Sequence, residues 1–265
     1  MRVILASIAL AAMALSSCSG VDNNANANRA GNGNGNSNKA GIPKVPDPLK
    51  PAEAVDPRFK PCNPYYPLVP GSIAKYVINY PSGAVADRTV VVDSANEAGR
   101  KVFVERAQIV DRSGGMQIIQ SSEGKYVCDD GAVRVLSETF DTLVAGEHHS
   151  NTDFNYRENS LMMADPETIS RKGATWQHAF RQVSHTPGQA PIVSDDVTVV
   201  VFEVSGPEEV TTAAGTFKAV KITRKIRDGY TIDYYAPGLG LVRRTSKEGA
   251  SWELKEYSGL KPIEQ

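Results

Sequence analysis

Imidazole and carboxylate side chains, which suit zinc or copper, come together in the sequence at Glu147, His148, His149 and Asp153. Adjacent histidines on an extended chain point in opposite directions, so these two cannot easily share one metal ion. We therefore interpret this segment as a solvated loop and predict no metal site. The other two histidines are isolated in the sequence, and we interpret them as polar groups of a strand and a loop: His178 and His185.

Two serine–lysine pairs have the S-x-x-K spacing that places a lysine beside a serine nucleophile in penicillin-recognising enzymes: Ser72 with Lys75, and Ser122 with Lys125. Both pairs lie in β-like segments and not at the start of a helix, and the partner motifs S-D-N and K-T-G are missing. The sequence also contains no G-x-S-x-G elbow, H-E-x-x-H motif, P-loop or nucleotide-binding glycine fingerprint. It therefore predicts a protein that is not an enzyme and uses no cofactor.

The thiol of Cys18 follows an apolar N-terminal segment. Met1 and Arg2 give a positive start, and residues 3–15 form an apolar run within the roughly 7 to 15 residues of a signal-peptide core. A membrane-spanning helix needs about 20 apolar residues, and this chain becomes polar directly after Cys18. The pattern predicts an export signal peptide, residues 1–17.

The residues Leu15, Ser16, Ser17 and Cys18 resemble the lipobox of bacterial lipoproteins. The resemblance implies that a diacylglyceryl group is attached to the Cys18 thiol, that cleavage occurs before this residue, and that the new amino group is acylated. Two or three acyl chains anchor a protein stably, whereas one holds only marginally. Ser19 stands directly after the cysteine, and this position is similar to that of lipoproteins sent to the outer membrane of Gram-negative bacteria. The expected location is the cell envelope, anchored in the outer membrane and facing the periplasm; the alternative is an ordinary secretory signal.

Residues 18–58 read as a linker between the anchor and the folded domain. Its first part, to about residue 41, is almost entirely Asn, Gly, Ala and Ser and predicts a disordered tether. The rest is rich in proline and predicts an extended, semi-rigid spacer. The linker either lets the domain reach across the envelope or only keeps the anchor from disturbing the fold.

Residues 59–265 are long enough for one domain with a core. Short alternating segments are separated by turn residues such as Asp130-Gly131, and no stretch keeps a helical apolar stripe. We predict an all-β, antiparallel fold, either a curved meander, a half-barrel or a sandwich. A short similarity between residues 71–76 and 173–176 allows two related meanders. Residues 197–202 are mostly apolar, which predicts a strand covered on both faces.

The formal net charge of -1 gives no sign of the basic surface that binds nucleic acid, so we expect no nucleic-acid partner. The expected partners are the membrane, through the lipid anchor, and a lipid, a glycan or an envelope protein.

Three segments of the C-terminal quarter together form one sequence pattern: residues 210–217, 220–222 and 234–242. This pattern resembles a signature of uncharacterised bacterial envelope β proteins, which include TapB-like lipoproteins and related domains of unknown function. Residues 67–80 resemble the opening element of the same family, with Tyr76 where a tryptophan usually falls. The resemblance implies a gently curved, all-β sheet and no established activity.

Cys62 and Cys128 remain as an even pair if Cys18 carries lipid. In an oxidising compartment an even pair predicts a disulfide. The bond would close a loop of roughly 66 residues and contribute about 4 kcal/mol in the chain-entropy model. The alternative is two separate buried thiols, because cysteine packs as a small apolar residue.

Arg224 interrupts an otherwise apolar row of alternating residues, and Glu256 follows Trp252 and Leu254 in the same way. An inward arginine and glutamate could pair or line a cleft. The interpretation that we favour is that both lie near a sheet edge and extend to water.

The C-terminal half also contains both tryptophans, and aromatic faces with one fixed charge can hold an amphiphile or a sugar ring. We therefore predict a ligand site formed by Trp176, Arg224, Tyr234 and Trp252; the alternative is that both tryptophans belong to the core. Two functions follow: a non-catalytic binding module for an apolar or amphiphilic ligand, or a structural or assembly subunit of an envelope complex. An exposed apolar concave face would favour the first function, and a filled core the second.

Overall fold

The computed structural model describes residues 48–111, 117–158, 160–194 and 196–263. They fall within one compact unit, Asp47–Gln265. The predicted signal peptide, Cys18 and most of the predicted linker lie outside the described residues. Within the described ranges, no helix is long and apolar enough to cross a membrane.

Antiparallel strands make up most of this unit. The described elements are, in chain order, β1 (Ile73–Asn79), β2 (Val85–Glu97), β3 (Arg100–Asp111), β4 (Ile118–Asp129), β5 (Ala132–Val144), β6 (Glu147–Tyr156), β7 (Leu161–Met163), α1 (Pro166–Ser170), β8 (Thr175–His185), β9 (Ile192–Val193), β10 (Thr198–Thr212), β11 (Gly215–Ile226), β12 (Gly229–Ala236), β13 (Gly240–Ser246) and β14 (Ser251–Ser258). The predicted all-β, antiparallel fold is confirmed.

The sheet closes on itself as a barrel. Its strand order is β10-β11-β12-β13-β14-β1-β2-β3-β4-β5-β6-β8, and β8 pairs back with β10 from Phe180↔Thr198 to Thr175↔Glu203. The two short strands lie off this ring, β7 on β5 and β9 on β8. The segments 71–76 and 173–176, whose similarity suggested two meanders, lead into β1 and β8 of the same ring.

Closure gives every strand of the ring an inner and an outer face, because successive side chains point to opposite sides. In β1 the inward residues Ala74, Tyr76 and Ile78 are all buried, whereas the residues between them are partly or fully exposed. In β10 the outer face carries Val199 and Val201, which are 42% and 36% exposed. The expectation that residues 197–202 are covered on both faces is wrong, because no second layer among the described residues covers the outer face of this strand.

One end of the barrel is crossed by residues 62–70, which we call the plug. Cys62 and Cys128, the pair predicted to bond, form a disulfide with 6.2 Å between their Cα atoms. The buried Asn63 then donates from Nδ2 to the carbonyl of Gly131, 2.7 Å away in the β4–β5 turn. On the opposite side of the ring, the amide of Gly238 in the β12–β13 turn donates to the Pro64 carbonyl at 2.7 Å. The plug thus spans the barrel mouth and is tied to both rims.

The described end of the predicted linker, residues 48–58, contacts the barrel. The Ala52 amide donates to Asp93 Oδ1 at 2.6 Å, and the Ser94 amide donates to Glu53 Oε1 at 2.7 Å. Gly71 has a φ of +86°, and a Cβ at this position would lie 2.8 Å from the Glu53 carbonyl oxygen. Glycine is required there both by the backbone conformation and by the close approach of the two segments.

The segment predicted as a solvated loop around the adjacent histidines is strand β6, so that interpretation is wrong. β6 pairs with β5 on one side and with β8 on the other, and its Phe154 is 4% exposed. His148 Nε2 lies 3.2 Å from Asp141 Oδ1, whereas Asp153 lies 3.6 Å from His185. His148 and Asp153 therefore have different partners.

Candidate functional site

A pocket of about 140 Å³ lies inside the barrel, at the end that the plug covers. Tyr66, Pro67 and Leu68 of the plug form one side of it. The rest is formed by apolar and tyrosine side chains and by five charged ones from the strands: Arg88, Glu105, Glu138, Arg224 and Arg244. A pocket lined by five charged side chains needs a specific set of partners for them, because an unpaired buried charge is costly.

Arg244 is neutralised by Asp233, its cross-strand neighbour on β12. Arg244 Nε donates to Oδ1 at 2.7 Å and Nη2 donates to Oδ2 at 2.6 Å, while Asp233 is 0% exposed. Burial alone would raise the pKa of Asp233, but the charge and hydrogen bonds of Arg244 outweigh it and the pKa is lowered. Burial opposes the charge of Arg244 too, and Asp233 nevertheless raises the pKa of the guanidinium. The pair is therefore ionised in the folded protein.

Glu105 joins the plug to the barrel wall. Tyr66 donates its hydroxyl to Glu105 Oε2 at 3.0 Å, and Arg88 Nη2 lies 3.9 Å from Glu105 Oε1. The Arg88 guanidinium also lies over the ring of Trp252, 4.9 Å from its centre, and the guanidinium of Arg244 lies 4.8 Å from the same ring. Trp252 thus contacts two of the arginines that line the pocket.

Glu138 stands opposite Glu105, with Gly124 of β4 between them. Tyr156 donates its hydroxyl to Glu138 Oε2 at 2.6 Å. Burial raises the pKa of Glu138, and the hydrogen bond from Tyr156 and the charge of Arg224 only partly oppose this. A Cβ at Gly124 would lie 2.7 Å from the Tyr126 ring, so the glycine provides the space that this ring fills.

An aromatic wall from β8 and β10 borders Arg224. The rings of Trp176 and Phe202 are stacked, with centres 5.1 Å apart, and His178 packs edge-on against Phe202 at 5.2 Å. Phe202 lines the pocket and is the direct cross-strand neighbour of both Trp176 and Arg224. Burial, assisted by the charge of Arg224, lowers the pKa of His178 to about 3, so this imidazole is neutral.

Three of the four residues predicted to form a ligand site face the barrel interior: Trp176, Arg224 and Trp252. Arg224 lines the pocket directly, and each tryptophan packs against residues that line it. Tyr234 faces outwards, where Lys221 lies 6.0 Å from its ring centre. The reason is the strand alternation, because Asp233 and Tyr235 on either side of it face inwards.

Arg224 points into the barrel, so the expectation that it lies at a sheet edge and extends to water is wrong. Glu256 does not join it. A β-bulge between Lys75 and Tyr76 shifts the register of β14, and Glu256 forms an exposed ion pair with Lys75.

Sequence reasoning missed the other charged residues of the interior: Arg88, Glu105, Glu138, Asp233 and Arg244. The signal that identified Arg224 was available for two of them, since a charge falls within an alternating row that is otherwise apolar. Arg88 lies between Ala86 and Val90, and Glu105 lies between Phe103 and Ala107.

The DUF3108-like family matches residues 81–255, which is more than half of the chain and includes all strands of the ring except β1 and the end of β14. The chain belongs to the DUF3108-like family. This match supports an uncharacterised envelope β domain and does not extend to TapB-like lipoproteins. Among curated proteins, no sequence matches this DUF3108-like chain.

Two solved structures are similar to this DUF3108-like protein. A Bacteroides fragilis protein, described as exported and with a YmcC-like fold, is 15% identical and has a TM-score of 0.48; the match covers 74% of this chain and 100% of that one. A Parabacteroides distasonis protein, described as a lipoprotein, is 16% identical with a TM-score of 0.44, over 75% of this chain and 100% of that one.

The buried pair of Asp233 and Arg244 gives a first prediction. We expect Arg244→Met to lower the free energy of unfolding by about 3–5 kcal/mol, because it leaves the Asp233 carboxylate buried without its partner. The double variant Asp233→Leu with Arg244→Met removes both charges and should lose less than the single variant. Urea unfolding measures both values. A single variant that costs less than about 1 kcal/mol, as exposed pairs do, would contradict this account.

His178 gives a second prediction, on pH dependence. The unfolded histidine takes up a proton below its usual pKa of 6.5, whereas the folded one does so only near pH 3. Its contribution to stability is therefore complete above pH 6.5 and is lost as the pH falls towards 3. His178→Gln keeps a side-chain donor for the Leu161 backbone carbonyl but cannot titrate.

We expect the free energy of unfolding of the wild type, minus that of His178→Gln, to fall by about 1.4 kcal/mol per pH unit between pH 6 and 4. Glu138 acts in the opposite direction, since its raised pKa gives stability that is lost as the pH rises above 4.5. It is present in both proteins, so the difference removes its effect. A difference that stays constant with pH would show that His178 is not held neutral.

Proposed function

We propose that this protein is a lipid-anchored lipoprotein of the bacterial cell envelope whose barrel binds a small molecule without catalysing a reaction. The observation that carries the binding function is the pocket of about 140 Å³ inside the barrel, lined by arginines, glutamates, tyrosines and apolar side chains. Small-molecule sites are concave and hold a few convergent polar groups, and this pocket has both properties.

The size of the pocket indicates a compact occupant. Sites for drug-sized ligands have volumes of roughly 300–1,000 Å³, whereas a cavity of about 150 Å³ holds a molecule as small as benzene. The pocket volume of about 140 Å³ is of the second kind. The lining combines five charged side chains with apolar ones such as Leu68, Val90 and Phe202. The charges are a poor match for a pure hydrocarbon, so we propose a small ligand that carries a polar group in preference to the larger apolar or amphiphilic one expected from the sequence.

The cellular location rests on the sequence and on the disulfide. The lipobox-like residues before Cys18 support export and lipid attachment, and Ser19 supports the outer membrane, with the barrel in the periplasm. The bond between Cys62 and Cys128 ties the plug to the barrel rim, and such bonds persist in oxidising compartments.

An assembly role is the second candidate, and it has its own support. The outer face near the β8–β10 junction carries exposed aliphatic side chains: Val193 at 56%, Val199 at 42% and Val201 at 36%. Neighbouring exposed apolar groups are typical of surfaces that bind other proteins.

The anchor is tested by Cys18→Ala, with Ser17→Ala as the matched control that keeps a small residue before the thiol. We expect Cys18→Ala to leave the membrane fraction for the soluble or uncleaved pool, because one thiol carries the whole lipid attachment. Ser17→Ala should remain with the membrane. Fractionation followed by immunoblotting measures this, and wild-type protein that is freely soluble in the periplasm would refute the lipoprotein proposal.

The binding function is tested by mass spectrometry of the full-length protein purified from membranes in detergent. We expect the native spectrum to show an added mass that disappears when the protein is denatured, because the ligand is held non-covalently inside the fold. If native and denatured masses agree in every preparation, the binding function is wrong and the assembly role takes its place.

A further inference from the structure

Five side-chain nitrogen or oxygen atoms are buried without a hydrogen-bond partner in the described part of the chain: Trp176 Nε1, His178 Nδ1, Arg224 Nε, Thr231 Oγ1 and Arg243 Nε. Buried polar groups are nearly always paired in proteins, so each exception requires an explanation. The first four face the barrel interior, whereas Arg243 faces outwards on β13 near Glu253.

Three of the four interior atoms belong to one row across adjacent strands. Trp176 pairs with Phe202, Phe202 with Arg224, and Arg224 with Thr231. Neighbouring strands are about 4.8 Å apart, so the row brings these side chains to one level of the barrel. Phe202 and Arg224, at its centre, line the pocket. Trp176 and Thr231 are each 7% exposed, so bulk water does not satisfy their polar atoms.

The carboxylates around the pocket are already engaged elsewhere. Asp233 accepts two hydrogen bonds from Arg244, Glu105 accepts one from Tyr66, and Glu138 accepts one from Tyr156. Arg224 has no such partner for its Nε, and a guanidinium offers five N–H donors and no acceptor. The unused hydrogen-bonding capacity at the centre of the row is thus that of a cationic donor.

The balance of charges in the barrel interior also indicates an anionic ligand. Asp233 neutralises Arg244, and Glu105 lies 3.9 Å from Arg88, which leaves Glu138 as the compensating charge for Arg224. Burial raises the pKa of Glu138 and so weakens that compensation. The neutral His178 adds no positive charge of its own.

We infer that the pocket holds a small molecule bearing an oxyanion, and that the guanidinium of Arg224 binds this group. The inference rests on the proposed binding function and adds the chemical class of the ligand. Carboxylate, phosphate and sulfate groups share the acceptor geometry that a guanidinium binds with two parallel hydrogen bonds. The volume of about 140 Å³ favours a compact acid over an extended acyl chain.

The test is a titration of the full-length protein with acetate, inorganic phosphate, sulfate and, as the neutral probe, glucose. Tryptophan emission reports the pocket, because Trp176 packs on Phe202 and Trp252 on Arg88 and Arg244. We expect at least one of the three anions to bind and to change the emission, and glucose to cause no change. The anion arms distinguish a carboxylate ligand from a phosphate or sulfate ligand.

Arg224→Gln should weaken anion binding by about tenfold or more, since it removes a charged donor from a buried site. Arg243→Gln is the matched control: it removes an arginine that faces outwards from the same region and should change the affinity by less than about twofold. Arg224→Lys keeps the charge but loses the planar fork, so its affinity should lie between those of the wild type and Arg224→Gln. This variant also keeps the test informative if Arg224→Gln does not fold, as judged by circular dichroism.

The oxyanion inference is overturned if glucose binds as well as the anions, or if anions bind Arg224→Gln as tightly as the wild type. It is also overturned if no anion binds while purified protein retains a neutral molecule, in which case the binding function stands. If no probe binds and purified protein carries no added mass, both proposals are wrong.

Discussion

The pairing of β14 with β1, the last strand with the first, closes the sheet, and the environment of every inward side chain depends on it. An open sheet of the same strands would leave both faces accessible to water, and charged residues on either face would need no partners. Closure instead assigns every second residue of the ring to an enclosed interior. The position of a charge in the alternation therefore decides whether it lies in solvent or inside the barrel.

The charged side chains of the interior are stabilised by specific partners. Asp233 and Arg244 form the most buried pair, and Glu105 and Glu138 are each held by a tyrosine hydroxyl. One of these tyrosines, Tyr66, belongs to the plug, so the polar interior and the closure of the barrel end depend on each other. The disulfide at the start of the plug fixes the chain where it enters the mouth. Arg224 is the member of this set whose Nε is left without a partner.

The antiparallel strands were predicted because alternation within a strand is a local property. The same alternation offered an inward Arg224, but as the interpretation that we did not favour. The closed ring was not predictable, since it depends on the pairing of β1 with β14, which lie at opposite ends of the domain's sequence and carry no local signal for each other. Strand β6 was missed because its first half is entirely polar. Glu256 extends to water as expected, but it does not share the face of Trp252 and Leu254, because a β-bulge, which leaves no mark in the sequence, shifts the register of β14. Tyr234 was grouped with Arg224 by residue type, although its parity within β12 directs it outwards.

The central claim is that the barrel interior forms a polar binding site in which the Arg224 guanidinium has an unpaired hydrogen-bond donor. A crystal structure of protein purified from its own membranes, at a resolution that shows ordered water, tests it most directly. The account predicts density for a compact group with acceptor atoms within hydrogen-bonding distance of the Arg224 guanidinium. A direct hydrogen bond from Arg224 to Glu138, with only water or hydrocarbon in the pocket, would contradict it.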